Sequence, residues 1–110
     1  MKLQIHTHDN LLLFDIFGEG DVSLGDKVEI PGGAELIWED GLCCKSTGIP
    51  EIVTFSLRCG RDVAVILIGN WLWHKFEKKE TVRFVANGVD IENEAQLVQI
   101  LEKYRRAEGL

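Results

Sequence analysis

Apolar and polar residues alternate along three stretches of the chain, at residues 3–8, 51–58 and 81–86. Successive side chains of a β-strand point to opposite faces, so a two-residue period is typical of a strand with one covered face. The three stretches therefore predict three half-buried strands.

Turn signals separate further apolar stretches in the first half of the chain. Residues 27–30 and 34–39 flank Pro31-Gly32-Gly33, which predicts a hairpin connection. Asp40-Gly41 is a strong hairpin signal, because a type I′ turn needs positive φ at both central positions. Residues 42–46 would be the returning strand.

Two other segments also predict sheet structure. Residues 11–17 are almost entirely apolar, a pattern typical of a strand covered on both faces. Asn87-Gly88 predicts a tight turn that leads from the strand at 81–86 into residues 89–91.

Residues 62–78 fit two patterns. As a helix they would begin at Asp62, a good N-cap, and present one polar stripe. That stripe contains Asn70, His74, Glu77 and Lys78. As strands, residues 63–68 and 71–76 would pair across Gly69-Asn70, a permissible two-residue hairpin loop. The polar stripe favours the helix.

Residues 93–107 predict a second helix. Asn93 and Gln96 have the spacing of a capping box, basic residues lie in the last turn, and Gly109 would stop the helix. The apolar face follows helical spacing through Leu97, Ile100, Leu101 and Tyr104.

These patterns predict a single α+β domain over residues 1–110. We expect a mainly antiparallel sheet of five to seven strands, with two helices, 62–78 and 93–107, on one face. If residues 62–78 form a hairpin instead, the fold would be a β-sandwich or small barrel with one C-terminal helix.

The charge of the chain is unevenly distributed. Residues 1–60 hold ten acidic against four basic side chains, whereas residues 61–110 hold eight of each. Nucleic acids and anionic membrane surfaces are bound mainly through clustered lysine and arginine, so neither is an expected partner. An acidic half is compatible with docking of a basic protein.

The sequence also bears on location. No apolar leader of the secretory type opens the chain, and the most apolar stretch, residues 63–73, is too short to span a bilayer. Cys43, Cys44 and Cys59 are odd in number and are not spaced as a disulfide framework, which favours reduced thiols and a cytoplasmic protein.

Candidate chemistry is sparse. His6 and His8 would share one strand face and, with Asp9, could contribute to a metal site if other segments supplied further ligands. Cys43 and Cys44 would point to opposite faces of a strand and cannot chelate together. No nucleotide-binding or catalytic motif is recognisable, so we expect no catalytic residues, no cofactor and no metal.

The tryptophans suggest a contact surface. On a helix Trp71 and Trp73 lie about 200° apart, so a surface helix would expose one of them. Exposed tryptophan is enriched at protein interfaces. With the acidic pair Glu39 and Asp40, these residues form the predicted partner-binding set.

Three segments of the C-terminal half carry a resemblance: Ser56-Leu57-Arg58-Cys59-Gly60, Trp71-Leu72-Trp73 and residues 85–91 (Val-Ala-Asn-Gly-Val-Asp-Ile). In these segments the chain resembles the effector-associated constant component family of bacterial conflict systems. The resemblance covers about half of the chain and includes no catalytic motif. The resemblance implies a non-catalytic adaptor that pairs with an effector protein.

The leading hypothesis is a non-enzymatic protein-binding module of a bacterial or phage system. It could be an adaptor, an immunity or inhibitor-type protein, or an oligomer subunit, with a protein partner or self-association. One alternative is a β-domain that binds a small molecule, which follows from the barrel fold. The other is a metal-dependent enzyme that uses the N-terminal histidine pair.

Overall fold

A computed structural model describes residues 1–9, 11–18, 20, 22–41 and 50–108 of the chain. The described residues form six strands and three helices. In chain order these are β1 (Lys2–Thr7), α1 (Leu12–Phe17), β2 (Lys27–Ile30), β3 (Ala34–Asp40), β4 (Glu51–Cys59), α2 (Val65–Phe76), β5 (Thr81–Ala86), β6 (Val89–Asp90) and α3 (Glu94–Ala107).

The six strands form one antiparallel sheet in the order β2-β3-β4-β1-β5-β6. The central strand β1 pairs with β4 on one side and β5 on the other, so that Leu3 lies opposite both Phe55 and Ala86. The predicted strands at residues 3–8, 51–58 and 81–86 are confirmed, as is the α+β architecture.

One face of the sheet carries the core. Phe55 of β4 stacks on Phe76 of α2, with ring centroids 5.3 Å apart, and on Phe17 of α1 at 6.5 Å. Leu97 and Leu101 of α3 are buried in the same core cluster. All three helices therefore cover the face that Phe55 points to, and the described helices leave the opposite face open.

The prediction of a strand at residues 11–17 was wrong, because α1 occupies this segment. Leu12 and Ile16 are buried one helical turn apart, whereas Leu11 and Phe14 are exposed. The buried residues of this run follow a helical period. The sequence does not reveal that period, because the exposed positions Leu11 and Phe14 are apolar as well. The Asp9 carboxylate accepts a hydrogen bond from the N–H of Leu11 at 2.9 Å and directs the chain into the helix.

The helical interpretation of residues 62–78 was correct, so the hairpin and the barrel that depended on it are excluded. The helix is shorter than predicted, however, and Asp62 is not its N-cap. Ala64 occupies that position without a side-chain cap bond. The N–H of Ala64 donates to the carbonyl of Gly32 at 2.8 Å, so the β2–β3 turn holds the chain just before α2 begins.

The second predicted helix is confirmed as α3. Asn93 caps it, with its side chain accepting from the N–H of Gln96 at 2.8 Å. The Gln96 side chain does not bond back to Asn93. It accepts from the N–H of Glu92 at 2.7 Å and donates to the carbonyl of Asp90 at 2.9 Å, so it ties α3 to β6.

Two of the three predicted turns are confirmed, and the third differs from its prediction. The hairpin at residues 31–33 joins β2 to β3 as expected. Asn87 and Gly88 both have positive φ, 51° and 81°, as a type I′ turn requires. Asp40 instead ends β3, and only Gly41 has positive φ (106°). Residues 42–46 and Gly109 lie outside the described residues.

Candidate protein-binding surface

The outer side of α2 carries two adjacent apolar side chains in solvent. Ile66 is 72% exposed and Leu67 is 54% exposed. The inner side of the same helix contributes Ile68 and Leu72 to the core, both fully buried. Apolar exposure is thus confined to the side of α2 that faces away from the sheet.

A shallow groove between α2 and α3 continues this apolar surface. Val65 and Ile66 line one wall, and Val98 lies on the other. The two helices approach closely because Gly69 has no side chain: a Cβ built there would lie 2.7 Å from Cγ2 of Val98. The outer part of the groove is polar, with Gln99, Glu102, Lys103 and Arg106.

Trp71 extends the surface on the other side of α2. It lies one turn beyond Leu67, so the two side chains share a helix face. The indole is half-buried, with Nζ of Lys75 5.8 Å from its ring centroid. We call Val65, Ile66, Leu67, Trp71 and Val98 the α2 patch.

Asp15 of α1 forms ion pairs with Lys78 and with Lys75, which lies beside Trp71. Lys75 donates to the carbonyl of Asp15 at 3.2 Å and lies 3.6 Å from its carboxylate, and Lys78 also donates to that carboxylate. The Lys78 hydrogen bond lowers the pKa of Asp15 more than the nearby Lys75 charge does. An ion-pair network therefore supports this edge of the α2 patch.

Trp71 and Trp73 are less exposed than the sequence predicted. We expected a surface helix to expose one of them, but Trp71 and Trp73 are both half-buried and pack against the core. The third, Trp38, is buried, with Nε1–H donating to the carbonyl of Asp40 at 3.1 Å. The most exposed apolar residues of α2 are Ile66 and Leu67.

Glu39 and Asp40 do not join the tryptophans in one surface. Both are exposed at the end of β3. Asp40 pairs with Thr54, which alternates with the inward-facing Phe55. Asp40 therefore lies on the open face of the sheet, opposite to α2, and the predicted partner-binding set divides between two faces.

The N-terminal histidines are also separated. His6 lies on the open face, opposite Arg83 in register, whereas His8 is exposed beyond the end of β1. The carboxylate of Asp9 is occupied by the N–H of Leu11. Within the described residues, no group of three or more His, Cys, Asp or Glu side chains could hold a metal ion.

Cys59 is half-buried at the end of β4. Burial raises the pKa of its thiol, and the nearby N-terminal ammonium only partly opposes this shift. A raised pKa disfavours the reactive thiolate. Cys43 and Cys44 lie outside the described residues.

Sequence reasoning missed Ile66 and Leu67, although a usable signal was present. Ile66 lies one turn before Asn70 of the predicted polar stripe, and Leu67 lies one turn before Trp71. Because residues four apart share a helix face, Asn70 and Trp71 indicate that Ile66 and Leu67 lie on the outer face of the helix.

Comparisons with known proteins found no match to this chain among protein-family models, curated proteins or solved structures. Among the described residues, no helix is both long enough and apolar enough to cross a membrane.

Proposed function

We propose that this protein is a non-enzymatic protein-binding module and that the α2 patch is its contact surface. The observation that carries the proposal is the exposure of Ile66 and Leu67 side by side on a helix whose other side is buried. Contiguous apolar surface with a polar rim is a common mark of protein contact sites.

The shape of the α2 patch suggests how a partner would bind. The groove along α2 and α3 can accept apolar side chains of a helix or extended segment from another chain. Trp71 adds a large, rigid contact area that loses little entropy on binding. Its position is supported by Asp15 through Lys75.

The partner falls into one of the classes that the sequence suggested: an effector paired with an adaptor, the target of an immunity or inhibitor-type protein, or a second copy of this chain. The resemblance to the effector-associated constant component family favours an adaptor in a bacterial or phage system. Glu39 and Asp40 lie on the opposite face of the sheet, so they are not part of the proposed contact surface.

Site-specific photo-crosslinking in cells of the natural host tests the proposal. A photoreactive residue at position 67 should crosslink to a discrete protein, whereas the same residue at Leu24 should not. Leu24 is a matched control because it is 60% exposed but lies in the loop before β2. Ile66→Lys should abolish the position-67 crosslink without changing thermal unfolding.

Sedimentation velocity over a range of protein concentrations identifies the self-association class. Concentration-dependent dimerisation that Ile66→Lys removes would assign the α2 patch to a second copy. A monomer at all concentrations, with equal crosslinking at positions 67 and 24, would contradict the proposed surface.

A further inference from the structure

Asp40 and Gly41 are joined by a side-chain hydrogen bond at the end of β3. The N–H of Gly41 donates to Oδ1 of Asp40 at 2.9 Å, so the carboxylate folds back onto the next peptide nitrogen. The carbon Cγ is bonded directly to this oxygen. The hydrogen bond therefore places the Gly41 nitrogen near Cγ, and attack requires only that the amide proton leaves and that the carboxyl group rotates to turn Cγ toward the nitrogen. Asp40 is exposed, so water has access to it.

The fold requires glycine at position 41. Its φ is 106°, and a Cβ built there would lie 2.3 Å from the carbonyl oxygen of Ile52 and 2.8 Å from Cα of Val53. A side chain at position 41 would hinder attack by the adjacent nitrogen, but none can be accommodated. The packing of Gly41 against β4 therefore preserves the unhindered Asp-Gly pair.

We propose that Asp40-Gly41 is a site of spontaneous isoaspartate formation in the folded protein. The Gly41 nitrogen attacks Cγ of the protonated Asp40 carboxyl group and forms a new C–N bond. The Gly41 amide proton and the carboxyl hydroxyl leave together as water, which gives a five-membered succinimide. Water then adds to one of its two carbonyls. Opening at the α-carbonyl gives isoaspartate, and opening at Cγ restores aspartate.

The modification would change the end of β3. In isoaspartate the main chain runs through Cγ, which adds a methylene to the backbone and frees the α-carboxylate. The carbonyl of Asp40 that accepts from Nε1–H of Trp38 would become part of this carboxylate. The indole N–H resonance of Trp38 is therefore a second signal of the reaction.

Asp40 is the only aspartate in the sequence that precedes glycine, and Asn87-Gly88 is the only Asn-Gly pair that could give the same product, so the peptides that contain these two pairs are mapped separately. Purified protein is incubated in the native state and in denaturant, then mapped by peptide mass spectrometry with fragmentation that distinguishes isoaspartate. Misplacement of reacting atoms by about 1 Å can cost about 100-fold in rate. We therefore expect the native rate at Asp40 to lie within about tenfold of the denatured rate.

Two variants control the experiment. Asp40→Glu keeps the charge but would require a six-membered ring, so the product should disappear. Asp40→Asn keeps the same geometry with ammonia as the leaving group, so native protein should convert position 40 to aspartate and isoaspartate with a measurable mass increase. Each variant is compared with the parent by circular dichroism and thermal unfolding.

A native rate more than about tenfold below the denatured rate would show that the fold keeps the two atoms apart, and would overturn the proposal. A second form of the residue-40 peptide that persists in Asp40→Glu would also overturn it, because that form could not be isoaspartate at position 40. The inference does not depend on the proposed function, since it concerns only the chemistry of purified protein.

Discussion

Gly69 of α2 lies directly against Val98 of α3. A methyl group at position 69 would lie 2.7 Å from Cγ2 of Val98 and 3.6 Å from Cδ1 of Leu101. Glycine in a helix interior costs about 1 kcal/mol relative to alanine. Glycine occupies this position despite its low helix propensity because the two helices pack too closely for a side chain.

Gly69→Ala should therefore destabilise the protein despite improving helix propensity. The clash with a stiff, β-branched side chain costs about 1–3 kcal/mol, against about 1 kcal/mol gained in propensity, so we expect a net loss of about 1 kcal/mol. In a Val98→Ala background the same change should become stabilising. Urea unfolding of the four proteins measures the coupling, and simple additivity would refute the contact.

Comparison of Gly32→Ala with Gly88→Ala distinguishes the stability cost of backbone strain from that of steric crowding. Both glycines have positive φ, 105° and 81°, but a Cβ at Gly32 would lie 2.8 Å from the carbonyl oxygen of Ala64, whereas Gly88 has open space. Strain costs about 1–3 kcal/mol at either site, and crowding adds about 1–3 kcal/mol at Gly32. Equal losses in chemical denaturation would show that the turn does not pack tightly against α2.

The ion-pair network of Asp15 predicts a dependence on pH. The hydrogen bond from Lys78 lowers the folded-state pKa of Asp15, so its contribution is complete above the unfolded-state pKa of about 3.9. That contribution is lost as pH falls through the lowered folded-state pKa. The pair is partly exposed, so Asp15→Asn should cost only about 0.2–1 kcal/mol at pH 7.

The difference between parent and Asp15→Asn should shrink as pH falls below about 4, because the Asp15 carboxylate of the unfolded chain binds a proton at a higher pH than that of the folded protein does. Unfolding free energies measured from pH 7 to pH 3 test this behaviour. A difference that stays constant over the range would mean that Asp15 acts through packing alone.

Ile66 and Ile68 are two residues apart on α2 but should respond differently to truncation. Ile68 is fully buried, so Ile68→Ala should cost about 2–5 kcal/mol. Ile66 is 72% exposed, so Ile66→Ala should change stability by no more than about 0.5 kcal/mol. A large loss at Ile66 would indicate that this side chain is retained for folding rather than for contact.

Sequence patterns were sufficient where one periodicity dominated. The alternation in β1, β4 and β5 and the apolar face of α3 predicted those elements. They failed at α1, because an almost entirely apolar run is compatible with both the two-residue period of a strand and the period of a helix. Leu12 and Ile16 are buried whereas Phe14 is exposed, and only tertiary packing makes that distinction.

The candidate surface was harder to predict than the fold. Tryptophan content directed attention to α2, but the exposure of Ile66 and Leu67 depends on which side of the helix the rest of the chain covers. Likewise, the sequence predicted that Asp40 and Trp71 belong to one partner-binding set, but they lie on opposite faces of the sheet. Such relationships arise from topology, which local patterns do not contain.

The central place of β1 has a consequence for biosynthesis. Both strands that flank β1 are translated after it, and β5 ends only at Ala86. Until then Leu3 and Ile5 have no complete sheet to join, and one backbone edge of β1 remains available for pairing with a neighbouring nascent chain. Sheet closure over such long sequence separations is slow, so ribosome-associated chaperones should influence the yield of folded protein.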